Sequence, residues 1–231
     1  MLKRSSYFLR KLENMKVLTT ICFVFFSVFV SAQVQFEAGK GNFADFLREH
    51  TIYPAFSKAN CIQGTVSVSF KLDQQGKIYS SKVTKGILTD LDEEALRLVR
   101  LSSGKWKVPS GYDTTTAVII PVNFRLEGYQ CEGKSKSDMA AAIRSYQSEE
   151  ALINSVINFY KNIDQAKPGQ EVQFIAIKKQ LGIDDDYLNS RIETGLKKIK
   201  QGDRQGACED FFFVKNMGSN MADVYLAKYC K

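Results

Sequence analysis

The sequence is poor in the residues that catalysis and metal binding require. Histidine occurs once among 231 residues, as His50, and no other residue has a recognised metal-ligand spacing from it. No two cysteines form a C-x-x-C pair, so thiol redox chemistry is not indicated. No nucleophile and base form a recognisable catalytic set. We therefore expect a protein that is not an enzyme and that holds neither a cofactor nor a metal.

Blocks of one charge sign are also missing. The formal net charge is +7, but residues 1–32 carry +4 of it, which leaves +3 for the remainder. That remainder has no Lys/Arg block of the kind that follows a phosphate backbone. We expect no nucleic-acid partner.

One long apolar run is present, at residues 17–30, after a basic segment that ends at Lys16. Ser31 and Ala32 follow it. A basic segment, an apolar run and small residues describe a secretory signal peptide, whereas a membrane span needs ~20 apolar residues. The sequence predicts a signal peptide at 1–32 and a periplasmic protein. If the leader is not cleaved, it would anchor the protein in the inner membrane.

The remaining chain divides into three parts. Residues 33–41 are a short polar connector without proline. Residues 42–131 mix helical and strand patterns, and residues 136–231 have a helical composition. We expect an α+β domain with a three-stranded antiparallel sheet, followed by a small all-helical domain.

The order of elements in the α+β domain follows from its apolar periodicity. The patterns predict helices at 42–50 and 89–101 and strands at 65–72, 77–85 and 115–126. Strict alternation in the first strand is the period of a half-buried strand. Ile78 and Val83 are an odd number of residues apart, so in a regular strand they would point to opposite faces of the sheet. We therefore expect a β-bulge between them.

One proline indicates how the strands are arranged. Pro121 falls inside the third strand, and proline belongs on the edge of a sheet because it lacks an N–H for the ladder. The first strand has no proline or glycine between Thr65 and Leu72, which favours a central place. The sequence predicts the order second–first–third, with both pairs antiparallel.

Four cysteines lie outside the leader, and an exported chain with an even number suggests disulfides. Sequence alone allows three pairings. The strand order brings Cys61 and Cys131 to the same end of the sheet, which favours one bridge there. Cys208 and Cys230 lie at similar distances from a turn between two helices, which favours a second bridge.

Several motifs in order resemble the C-terminal domain of TonB proteins, in the form seen in Bacteroidota-type sequences. They are Tyr53-Pro54, Gly64-Thr65-Val66-Ser67-Val68-Ser69-Phe70, Asp73 with Gly76-Lys77-Ile78, Gly86, Glu93-Glu94-Ala95, Lys105-Trp106 and Ile120-Pro121-Val122-Asn123-Phe124. The resemblance covers residues 43–127, about a third of the chain. It implies the fold α-β-β-α-β and binding of the TonB box, a short peptide of an outer-membrane transporter, by strand addition to the last strand.

The resemblance implies a peptide-binding site on the third strand and at the start of the domain. The residues are Val118, Ile119, Ile120, Pro121, Val122, Asn123, Phe124 and Arg125, with Tyr53 and Pro54. Alternatives stay open for both parts of this site. The third strand could be covered by the helical part or could pair with a second copy in a homodimer. Tyr53-Pro54 could only hold the first helix against the sheet. We expect Trp106 to be a core anchor.

Two departures from the family bear on function. TonB proteins carry an uncleaved anchor and a long proline-rich stretch, and neither is evident here. Binding without force transmission is therefore the main prediction, and a short anchored energy transducer is one alternative. Residues 202–230 resemble a degenerate tetratricopeptide repeat, so a second alternative is an envelope scaffold that binds partners through its helical tail.

Overall fold

The computed structural model describes residues 34–37 and 41–231 of the chain. Residues Gln35–Lys231 fall in one unit. The predicted signal peptide at 1–32 and residues 33 and 38–40 of the predicted connector lie outside the described residues.

The first part of the described chain alternates helices and strands. Its elements are β1 (Gln35–Phe36), α1 (Phe43–His50), α2 (Ala55–Ala59), β2 (Gly64–Leu72), β3 (Ile78–Lys85), α3 (Asp90–Leu101), β4 (Trp106–Lys107) and β5 (Ala117–Phe124). Asn42 caps α1 in a capping box with Asp45, and the Thr89 side chain caps α3. The predicted helices and strands of this part are present, with ends shifted by a few residues.

The main sheet has the order β3–β2–β5, and both pairs are antiparallel. This is the arrangement that Pro121 and the uninterrupted β2 predict. Lys71 pairs with Ser80, whereas the next residue of β2 pairs with Ile78, so Tyr79 is the extra residue of a bulge. The bulge lies between Ile78 and Val83, as predicted, and a second irregularity lies at Thr84.

The core of this part lies between the sheet and α3. Alternate residues of β2 and the apolar stripe of α3 are fully buried, and β5 adds two more side chains from its inner face. These residues are Val66, Val68, Phe70, Leu72, Leu91, Ala95, Leu98, Val99, Val122 and Phe124. Each large side chain removed from water in this way contributes roughly 1.5–3 kcal/mol.

The predicted connector is partly structured. Phe36 pairs with Trp106 and Gln35 with Lys107, in a second two-stranded sheet. The ring of Phe36 lies 5.2 Å from that of Trp106. Trp106 is buried, as expected of a core anchor, and its indole N–H donates to Ser102 Oγ at 2.9 Å. A two-residue strand is too short to leave a periodic pattern, which is why the sequence shows only a polar connector.

Residues 136–231, here called the helical tail, consist of helices and turns. Its α-helices are α4 (Lys136–Lys161), α5 (Glu171–Gln180), α6 (Asp185–Lys200), α7 (Arg204–Asn216) and α8 (Asp223–Tyr229). Nine buried residues form its core: Val156, Ile183, Leu188, Ile192, Ala207, Phe211, Val214, Met217 and Ala222. The tail therefore has an apolar core of its own.

The structure contains two disulfides, in the pairing that the sequence favours. The Cα atoms of Cys61 and Cys131 are 5.8 Å apart, and those of Cys208 and Cys230 are 5.7 Å apart. The first bridge joins the loop before β2 to the loop after β5. The second joins α7 to the end of α8.

Candidate peptide-binding edge

Strand β5 has one occupied side and one open side. It pairs with β2 along its whole length, from Ala117 to Phe124, and no other described strand pairs with it. Within the described residues, no other hydrogen bond reaches its main chain between residues 117 and 125. We call the side of β5 that faces away from β2 the open edge.

The hydrogen-bond ladder determines which residues of β5 face the open edge. The main-chain groups of Ser81 in β3 bond to a side chain outside the sheet, so its partner Phe70 must direct its own groups toward β5. Phe70 is opposite Val118, and alternate residues therefore bond to β2. The main-chain groups of Ile119, Pro121 and Asn123 consequently face the open edge, where the missing N–H of Pro121 costs no ladder bond.

The side chains of β5 alternate between the core and solvent. Val122 and Phe124 are buried, and Val118 and Ile120 are half-buried. Ile119 is 62% exposed, although it is a large apolar residue. The outer residues Pro121, Asn123 and Arg125 are exposed as well.

A groove of about 530 Å³ runs between α1 and the end of β5. Residues of α1 and the following turn form one wall, and β5 with the chain after it forms the other. The lining residues are Ala44, Leu47, Arg48, Thr51, Tyr53, Pro121, Val122, Asn123, Phe124, Arg125 and Glu127. An extended segment laid along the open edge would place alternate side chains toward this groove.

Tyr53 both lines the groove and packs. Its hydroxyl donates to the Ile62 carbonyl at 2.5 Å, and its ring meets the edge of Phe124 at 6.0 Å. Burial, and secondarily the Asp90 carboxylate, raises the pKa of Tyr53 to about 12. Its phenol is therefore neutral and acts as a fixed hydrogen-bond donor at physiological pH.

Pro54 lies elsewhere. It is the N-cap residue of α2 and lines a different cavity, together with Asp90 and residues of the helical tail. Of the ten residues that the resemblance implies for the site, Pro121 to Arg125 and Tyr53 line one groove. Val118, Ile119 and Ile120 continue the same strand beyond it.

Residues 49–126 match the family model described as Gram-negative bacterial TonB protein C-terminal. They form a TonB C-terminal domain. The match covers about a third of the chain and includes the main sheet from β2 to β5, α3 and Tyr53. No curated protein and no solved structure shows a significant match to the chain.

The TonB C-terminal domain gives the chain a coarse functional assignment. Domains of this family act in transport and energy transduction and are not enzymes. The family match supports a TonB-like role in TonB-dependent transport. It also implies a place in the cell envelope and interaction with outer-membrane transporters. In the described part of the chain, no helix combines the length and apolar character that crossing a membrane requires.

The opposite edge of the same sheet is occupied. At the start of β3, the Ile78 N–H donates to Ser103 Oγ at 2.9 Å. In the middle of the strand, the side-chain amide of Gln205 bonds both main-chain groups of Ser81. The bulge at Tyr79 further interrupts this side, which we call the β3 edge. The TonB C-terminal domain thus has one edge that side chains cover in part and one open edge.

The helical tail contacts the TonB C-terminal domain through Arg100 of α3. Its guanidinium donates to both carboxylate oxygens of Glu209, at 2.7 and 2.8 Å, and to Ser81 Oγ at 2.8 Å. Its side chain is 6% exposed, and Asp203 lies 3.9 Å away. Sequence reasoning did not find these contacts, because residues 109 positions apart give no local signal.

The described residues also bear on whether the protein could hold a metal ion. They contain no group of three His, Cys, Asp or Glu side chains placed to hold a metal ion. His50, the single histidine, stacks on Phe46, and its Nδ1 lies 2.9 Å from the Phe46 carbonyl. This environment is that of a packed side chain.

Proposed function

We propose that this protein binds an extended peptide segment by strand addition to the open edge of β5, as part of TonB-dependent transport. The proposed ligand is the TonB box of an outer-membrane transporter. The observation that carries the proposal is the asymmetry of the sheet: the β3 edge is occupied by side chains, whereas the open edge has no partner among the described residues. Proteins normally protect their edge strands, so an uncovered one suggests use.

The main chain would supply most of the affinity. Ile119 and Asn123 offer N–H groups to the open edge, and three carbonyl groups face the same way at Ile119, Pro121 and Asn123. Each net hydrogen bond contributes about 0.5–1.5 kcal/mol. Because Pro121 has no N–H, one carbonyl of the added strand would find no donor on β5 at this position.

Side chains would supply the selectivity. One face of the added strand would lie over the groove between α1 and β5, which offers Leu47, Thr51 and the neutral phenol of Tyr53. The other face would lie next to Ile119, whose side chain is 62% exposed and so has apolar surface left to cover. We expect apolar side chains at alternate positions of the ligand.

Isothermal titration of the full, oxidised chain with synthetic TonB-box peptides tests the proposal. Ile119→Pro removes one N–H from the open edge without touching the β2 ladder, and Ile119→Val keeps that N–H and most of the apolar side chain. We expect Ile119→Pro to weaken binding by roughly three- to tenfold, and Ile119→Val to bind nearly as well as the wild type. Equal binding by all three proteins, or none by the folded wild type, would refute it.

A second candidate function is partner binding by the helical tail. Helix α5 leaves Val172 and Ile175 exposed, by 68% and 51%. A Val172→Asp/Ile175→Asp variant is therefore the matched control in the same titration. Unchanged peptide binding agrees with the edge-strand proposal, and loss of binding by this variant alone would favour the tail.

We also propose that residues 1–32 are removed as a signal peptide, which would release the protein into the periplasm. The basic segment, apolar run and small residues support this. Mass spectrometry of the protein recovered from its native host should find Gln33 at the N-terminus. An intact leader would favour the short, membrane-anchored energy transducer.

A further inference from the structure

Gln205 takes the place of a neighbouring strand at the β3 edge. Its Oε1 accepts from the Ser81 N–H at 2.8 Å, and its Nε2 donates to the Ser81 carbonyl at 2.8 Å. A hydrogen-bonded residue pair in an antiparallel sheet exchanges the same two bonds. Gln205 lies in the first turn of α7, so a helix of the tail presents this amide to the sheet.

Arg100 holds α7 at this position. Glu209 lies one turn after Gln205 on the same helix, and its carboxylate accepts two bonds from the Arg100 guanidinium. Arg100 Nε also donates to Ser81 Oγ, so one buried side chain bonds to both the strand and the helix. Bidentate Arg–carboxylate pairs fix geometry as well as distance.

Between the irregularities at Tyr79 and Thr84, an uncovered β3 edge would be able to accept a short strand. The N–H and carbonyl of Ser81 face outward and would be unpaired if Gln205 were absent. Those of Val83 face outward too, because alternate residues of a strand point the same way. Unpaired edges of this kind pair with strands of other chains.

We propose that the helical tail prevents strand pairing at the β3 edge, and that Gln205 is the residue that does so by bonding the main chain of Ser81. Beneath the tail lies a second surface that fits β3 of a second copy of this chain. The tail thereby limits the TonB C-terminal domain to one strand-accepting edge, the open edge of β5. The β3 edge and the open edge are on opposite sides of the sheet, so coverage of β3 by the tail does not depend on peptide binding at β5.

Sedimentation velocity on the full chain tests whether the helical tail prevents strand pairing at the β3 edge. Both proteins in the comparison carry Ile119→Pro, which impairs pairing at the open edge. We expect this background protein to be monomeric and the added Gln205→Ala substitution to cause concentration-dependent dimerisation. Amide exchange over residues 78–85 should become about tenfold faster in the monomer of the same variant. Gln173→Ala, at an exposed glutamine of α5, is the control and should change neither.

A second substitution identifies the surface that self-associates. Ser81→Pro removes the outward-facing N–H that Gln205 accepts from in the wild type. Added to Gln205→Ala, it should restore the monomer if dimerisation uses the β3 edge. A dimer that persists would place the contact elsewhere and overturn the proposal. So would a folded Gln205→Ala protein that stays monomeric or that keeps the exchange rate of the background.

Discussion

Cys61 and Cys131 form a disulfide that closes the end of the β2–β5 pair. Cys61 precedes β2, and Cys131 follows β5 by seven residues. Next to the bridge, Gln63 Oε1 accepts the Leu126 N–H at 2.8 Å. The chain that leaves the open edge is therefore fastened to the central strand, which keeps the last residues of β5 extended and available.

Removing this disulfide should cost more stability than removing the other one. The Cys61–Cys131 bridge spans 70 residues and the Cys208–Cys230 bridge 22. Loop-closure entropy predicts losses of roughly 4 and roughly 3 kcal/mol for the paired Cys→Ser variants. Urea unfolding of the two double variants measures both values. A smaller loss for the longer loop would mean that the unfolded chain is already ordered between Cys61 and Cys131.

Gly76 should not tolerate a side chain. It has a φ of +73°, and a Cβ atom there would collide with the Trp106 carbonyl oxygen, which is main chain and cannot rotate away. Gly76→Ala should reduce the free energy of unfolding by about 1–3 kcal/mol or more. Gly133→Ala is the control, since its Cβ would meet open space, and it should stay within about 0.5 kcal/mol of the wild type. Tryptophan fluorescence during urea unfolding measures the free energy of unfolding of both variants.

Asp203 should make stability depend on pH. Burial raises the pKa of its carboxyl above the ordinary value of 3.8, against the opposing effect of Arg100. The folded protein therefore holds this proton more tightly than the unfolded chain does. The stabilisation is fully present below the unfolded pKa and is lost as pH rises through the folded pKa.

Asp203→Asn isolates this effect, because asparagine also caps helices well and Asp203 caps α7. Between pH 3 and 7, the free energy of unfolding of the wild type should fall relative to that of Asp203→Asn. Asp203→Ala lacks the cap and should be less stable than the asparagine variant by about 1 kcal/mol. A wild type that gains stability over Asp203→Asn with rising pH would contradict the expected sign.

Asp210 should be the most sensitive charged residue of the helical tail. Its carboxylate is fully buried and lies 2.7 Å from both Arg191 Nη2 and Lys198 Nζ. Asp210→Ala would leave two partly buried cations facing each other, at an expected cost of about 3–5 kcal/mol. Lys198→Met should cost clearly less, because Arg191 still pairs with Asp210. Thermal unfolding of the two variants shows which one loses more stability. Equal losses of stability would argue against an ion pair that Arg191 and Lys198 share.

The sequence predicts much of the TonB C-terminal domain, because its signals are local. Alternation from Thr65 to Leu72 marks the central strand, and Pro121 marks an edge, so the strand order follows without any long-range information. The position of Cys61 and Cys131 then follows from that order. The same reasoning places the candidate site on β5.

The contacts that differ from expectation are made by short or distant segments. Phe36 pairs with Trp106 through a strand of two residues, below the length at which a period is visible. Gln205 and Ser81 are 124 positions apart, and a single exposed-looking glutamine carries no pattern. The sequence therefore left open whether the helical tail covers β5, whereas the structure places α7 against β3.

Hydrogen exchange measured with and without a bound TonB-box peptide tests the central claim most directly. Ile119 and Asn123 have N–H groups that face the open edge, so peptide binding should slow their exchange. Exchange over residues 78–85 should not change, because the β3 edge is already covered. Protection of β3, or of the exposed face of α5, with no change at Ile119 and Asn123 would contradict strand addition to β5.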